Sequence, residues 1–140
     1  MDGPKSMLPR AEVVHDAENG PALPLFTTAE QLSQEFIEHL IGRPICRDRA
    51  LLVDHREFVF TGEGWTVLVP APGEQVSGSL YRNLVAEDYR RIDSYQGVLE
   101  GLYQRMLAAV RPEPSGTIEP AFVYLPTERT LGRYSAEPRR

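Results

Sequence analysis

Few side chains in this 140-residue sequence stand at spacings that do chemistry. Glu35 and His39 lie four apart, which on a helix puts a carboxylate and an imidazole on one face, as a metal needs. No third ligand follows nearby, so a solvated helix face is expected there and no metal. His15 falls in a proline-rich stretch and His55 in a turn, neither with an evident partner. The single cysteine, Cys46, has no second thiol and reads as a small apolar residue. No nucleophile triad, phosphate loop or zinc spacing is present. Gln96 stands just before Gly97 in the stretch RIDSYQGVLEGLYQR over residues 91–105 and, by its pattern alone, reads as a solvated last-turn residue beside a helix-capping glycine. Glutamine donates and accepts hydrogen bonds but has no useful proton affinity near neutral pH.

The elements that must position these residues follow from pattern. Thr28-Ala29-Glu30-Gln31 fits a capping box, and Leu32, Phe36 and Leu40 follow at helical spacing until Gly42 and Pro44. A helix N-terminus also holds carboxylates, so the Thr27-Thr28 pair is a cap with a second use. Ala50–Val53, Glu57–Phe60 and Trp65–Val69 read as strands, with a turn at Gly62-Glu63-Gly64. Gln75–Tyr81 is another strand, in which Gly78 marks a bulge or a close backbone approach. Val85, Tyr89 and Ile92 make a short amphipathic helix closed by Gly97 as a left-handed cap. Tyr103–Val110 and Thr117–Leu125, joined by a Pro-Gly loop, form an antiparallel pair. Roughly six strands and two helices that do not alternate regularly predict an α+β domain with a mostly antiparallel, barrel-like sheet.

Composition sets the outer limits. Residues 1–24 hold four prolines, two glycines and scattered charge, and read as a flexible arm; residues 127–140 read as a tail. One domain is expected over residues 25–126. Twenty acidic against fifteen basic residues give a net charge of −5, which argues against nucleic acid and anionic membrane as partners. No apolar run approaches a membrane span. With one cysteine and no signal-like leader, the cytoplasm is the expected compartment.

One longer stretch carries a resemblance. Val76, Gly78, Leu80 and Tyr81 spell V-x-G-x-L-Y; Glu87, Asp88, Ile92 and Asp93 spell E-D-x-x-x-I-D; Gly97 stands where an E-G pair is expected; Tyr103 and Arg105 spell Y-x-R. In that order and spacing they resemble the γ-glutamylcyclotransferase-like (AIG2-like) superfamily, as do VLVPAPGEQVSGSLY before them and the closing strand AFVYLP. The resemblance implies a mixed, mostly antiparallel β-barrel with short flanking helices. It also implies an intramolecular reaction, in which the α-amine of a γ-glutamyl compound attacks its own γ-carbonyl and 5-oxoproline forms. That chemistry uses a glutamate as base and backbone amides of a Y-G-S/T-L loop for the carboxylate and oxyanion. Both are altered here. Gln96 stands at the base position, and Phe26-Thr27-Thr28-Ala29 at the loop, with β-branched Thr27 in place of glycine.

By that resemblance Gln96, Phe26, Thr27, Thr28, Ala29 and Tyr103 form a ligand site, and Asp93 is structural. The expected function is a catalytically degenerate domain that binds a small amino-acid-like or γ-glutamyl ligand without a cofactor. One alternative is an active cyclotransferase with Glu63 or Glu100 as a relocated base. Another is a protein-interaction module without a ligand. Oligomeric state is left open.

Overall fold

The computed structural model describes residues 22–113, 116–134 and 136–139. Most of the expected N-terminal arm lies outside the described residues. Six strands and three helices are present among those described: β1 (Leu25–Thr27), α1 (Gln34–Ile41), β2 (Arg47–Phe60), β3 (Thr66–Tyr81), α2 (Ala86–Tyr95), β4 (Tyr103–Pro112), β5 (Glu119–Pro126), α3 (Glu128–Arg133) and β6 (Ala136–Pro138). Five strands close a ring. β1 pairs antiparallel with β3 and parallel with β5; β5 pairs with β4, β4 with β2, and β2 with β3, all antiparallel. β6 is an extra strand on the end of β2, Phe58 opposite Pro138 and Phe60 opposite Ala136. The expected mixed, mostly antiparallel barrel with short flanking helices is the fold observed.

Alternation along the strands separates two cores. Phe26, Leu52, Leu68, Leu80, Val110 and Val123 come from all five ring strands and fill the ring. Their neighbours Leu25, Tyr81, Phe122 and Tyr124 face the other way and pack with Ile37 and Ile41 of α1 and Tyr89 and Ile92 of α2. The ring closes tightly at Gly78. A Cβ there would lie 2.5 Å from the Phe26 ring and 2.6 Å from the Thr27 carbonyl oxygen, so the close approach read from the sequence is real.

Three sequence expectations are corrected. The first helix starts later: Ser33 caps it, its hydroxyl accepting from the Phe36 N–H at 3.1 Å, whereas Thr28 closes only a turn with Gln31. The strands read as separate pairs are two long bent ones. β2 runs through Asp54, which takes φ 61° where the register shifts, and the facing chain bulges at residues 71–74, with the Gly73 N–H donating to Asp54 at 2.8 Å. The segment read as a tail carries α3 and β6. Thr127 caps α3, its hydroxyl accepting from the Thr130 N–H at 3.2 Å, and the Arg139 N–H donates to the Glu57 carbonyl at 2.9 Å. Among the described residues no helix is long and apolar enough to cross a membrane.

Candidate functional site

The last turn of α2 is bolted to the barrel one helical turn before Gln96. Asp93 accepts from the Arg105 guanidinium on β4 at 3.0 Å and from the Tyr124 hydroxyl on β5 at 2.5 Å. Arg105 is 2% exposed and lies over the rings of Tyr89 (4.2 Å) and Phe122 (4.7 Å), contacts that offset its burial. Burial pushes the Asp93 carboxyl up against the opposing pull of Tyr124 and Arg105. From this anchor the helix ends at Gln96, whose N–H still reaches the Ile92 carbonyl, and Gly97 turns the chain at φ 69°. A side chain at Gly97 would be strained by that φ and would meet Leu102 at 2.8 Å.

Gln96 thereby sits in the wall of a cavity of about 450 Å³ at one end of the ring, within the size range of small-ligand pockets. Glu30 and Gln31 enter it from the turn after β1, Phe60, Trp65 and Thr66 from the β2–β3 hairpin, and Tyr95 from α2. Leu102 and Tyr103 come from the start of β4, and Thr130 and Tyr134 from the C-terminal segment. Phe60, Trp65 and Tyr134 form one aromatic cluster, with ring centroids 5.1–6.4 Å apart. Burial raises the Tyr103 pKa, and the neighbouring Tyr95 and Tyr134 add to it. Gln31 donates its amide N–H to the Tyr124 carbonyl at 3.0 Å. Three buried polar atoms of the wall have no hydrogen-bond partner: Gln31 Oε1, Thr66 Oγ1 and Gln96 Nε2. Buried polar atoms are nearly always paired, so these three set the wall residues apart from an ordinary interior.

Of the residues expected from the sequence, Gln96 and Tyr103 line this cavity. Phe26, Thr27 and Thr28 are buried and Ala29 is exposed, but none of the four is among the lining residues. Phe26 is in the ring core, and Thr27 donates its hydroxyl to the Leu32 carbonyl at 2.9 Å. The next two residues of the same turn, Glu30 and Gln31, reach the cavity instead. Glu63 and Glu100 do not line it either; Glu63 is exposed in the hairpin turn and the Glu100 carbonyl accepts from Arg129 at 2.9 Å. Glu30 lines the rim and pairs with Arg139 at 3.4 Å. Arg139 also faces Glu57 at 3.8 Å, whose carboxyl burial pushes up. Gln31, Trp65, Thr66 and Tyr134 carry no sequence signal for a site. Gln31 reads as the Gln of a capping box begun by Thr28, and the others join the site only through contacts distant in sequence.

The family model for gamma-glutamyl cyclotransferase, AIG2-like, matches residues 29–138. The chain belongs to that family. The match begins after Phe26–Thr28 and takes in α3 and β6, so the C-terminal segment is part of the gamma-glutamyl cyclotransferase-like domain. No curated protein matches the chain. Among solved structures, an Arabidopsis thaliana protein is similar with a TM-score of 0.68 and 13% identity, covering 81% of this chain and 67% of its own. A gamma-glutamyl cyclotransferase is similar with a TM-score of 0.64 and 22% identity, covering 83% and 70%. An AIG2-like protein from Mus musculus gives 0.59 and 24%, covering 80% of each chain. At these identities the likeness is one of fold.

Proposed function

We propose that this is a catalytically degenerate gamma-glutamyl cyclotransferase-like domain that binds a small amino-acid-like or γ-glutamyl ligand in the cavity beneath Gln96. One observation carries the reading. The residue at the position the resemblance gives to a glutamate base is a glutamine, 8% exposed, in the wall of a ligand-sized cavity with polar atoms left to pair. An amide there keeps the hydrogen bonding of a ligand site and removes proton transfer. Loss of a positioned general base costs on the order of 10²–10⁴ in rate. The two carboxylates considered as substitutes, Glu63 and Glu100, lie outside the cavity lining.

An active enzyme is the second reading, favoured by Glu30 at the rim. Against it, the Glu30 carboxylate is already engaged in an ion pair with Arg139 at 3.4 Å. Thermal unfolding with a panel of γ-glutamyl dipeptides and free amino acids tests the binding reading. A ligand at 100 times its Kd should stabilise the fold by about 2.7 kcal/mol, a clear rise in midpoint. No rise with any member of the panel would count against it.

A further inference from the structure

Much of the cavity wall that a ligand can touch is aromatic. Trp65 is 51% exposed and Tyr95 is 56% exposed, and both line the cavity. One large apolar residue at a surface is ordinary, but two half-exposed rings on one ligand-sized cavity are surface that a ligand can cover. Leu102, Tyr103 and Tyr134, partly buried, continue the same wall. Packing already holds the rings. Trp65 meets Phe60 at 6.4 Å and Tyr134 at 5.6 Å, both edge to face, and Tyr95 leans on Phe36 of α1 at 4.6 Å. Rings fixed in advance lose little freedom when a ligand settles on them.

Charge is the other half of selection. Among the described residues that line the cavity, Glu30 alone carries a formal charge, and Arg139 pairs with it at 3.4 Å. An anionic side chain of a ligand would meet Glu30 and no cation in that lining. A cationic one would have to share Glu30 with the Arg139 guanidinium. A large apolar side chain meets neither difficulty and covers the exposed rings.

We propose that this cavity selects ligands with a large apolar side chain, aromatic or branched aliphatic, laid against Trp65 and Tyr95, over ligands whose side chain there is small or charged. This rests on the ligand-binding reading and names the class of amino acid or γ-glutamyl dipeptide that the site takes.

Four dipeptides on one scaffold test it by titration calorimetry: γ-glutamyl-phenylalanine, γ-glutamyl-leucine, γ-glutamyl-alanine and γ-glutamyl-lysine. The phenylalanine and leucine probes should each bind at least about tenfold more tightly than the alanine probe, as when a large side chain is covered by a wall that is itself half exposed. Lysine has a long apolar stem with a charge at its end, so it isolates the effect of charge and should fall with alanine and not with leucine. Trp65 is the sole tryptophan of the chain, so its fluorescence should change with the two tight probes. Trp65→Ser and Tyr95→Ser should each cut the phenylalanine-to-alanine affinity ratio by about threefold or more. The Tyr95 variant, at the end of α2, keeps the test alive if Trp65→Ser does not fold. Ile118→Ser removes an apolar residue that is 50% exposed and outside the lining, and should leave the ratio unchanged. Alanine or lysine probes binding as well as the phenylalanine or leucine probe would overturn the inference while leaving the ligand-binding reading standing. A ratio indifferent to both folded cavity variants, or cut as far by Ile118→Ser, would also overturn it. No binding by any of the four probes would remove the inference and the reading it rests on together.

Discussion

A single side chain, Gln96, separates hydrogen bonding from proton transfer at its position. Glutamine and glutamate are nearly isosteric, so Gln96→Glu should fold, with a carboxyl whose pKa the buried wall would raise. If the base alone were missing, this change would restore turnover. We expect it to restore little or none, because Thr27 lies in regular strand pairing with Ser79 and, like Phe26 and Thr28, is absent from the cavity lining. Measuring 5-oxoproline released from a γ-glutamyl amide by the variant checks this, and ready turnover would show that the diverged loop still serves. Gln96 was legible in the sequence because it lies inside a run of motifs with fixed spacing. Gln31 was not: its role comes from a hydrogen bond to Tyr124, 93 residues away, which no local pattern records.

Elements hold that residue in place through a few buried polar links. Asp93 joins α2 to β4 and β5, and removing it leaves the Arg105 guanidinium buried and unpaired. Asp93→Ala should therefore cost about 3 kcal/mol, read from chemical denaturation, and should loosen the Gln96 turn. Gly78→Ala drives a methyl into Phe26 and the Thr27 carbonyl, and should destabilise by about 1–3 kcal/mol. Acid should weaken a different link. The Arg82 guanidinium, bonded to Glu119 at 2.7 and 2.9 Å, holds that carboxyl below its ordinary 4.5. A carboxyl lowered by folding stabilises fully above its unfolded value and loses this as pH falls through the folded one. Glu119→Gln should thus lower the thermal midpoint at neutral pH and make little difference well below pH 4.5. The sequence showed the α2 helix and the β4–β5 pair clearly. It split β2 and β3 because Asp54 and the bulge at residues 71–74, with the flanking Pro70, interrupt the strand pattern where the backbone bends without leaving the sheet. It placed the first helix early because Thr28 bonds to Gln31 much as a cap would, although only a turn follows.

The whole molecule is a closed five-stranded ring with a ligand-sized cavity at one end, walled in part by the C-terminal segment. That segment was unreadable as structure from its own composition, since α3 and β6 are short and gain their order from Phe60, Trp65, Glu57 and Glu30 on the barrel. Arg139→Ala should leave the ring strands protected in native-state hydrogen exchange and speed exchange in β6, because short edge elements open at low free-energy cost. Equal loss of protection throughout would contradict this division. The chain belongs to the gamma-glutamyl cyclotransferase family, and the proposal at this scale is that its barrel serves binding and not cyclisation. The most direct test incubates the unmodified protein with γ-glutamyl amino acids and γ-glutamyl amines near neutral pH and measures 5-oxoproline. The account predicts release no faster than the uncatalysed background; turnover in the ordinary enzyme range of ~1–10³ per second would contradict it.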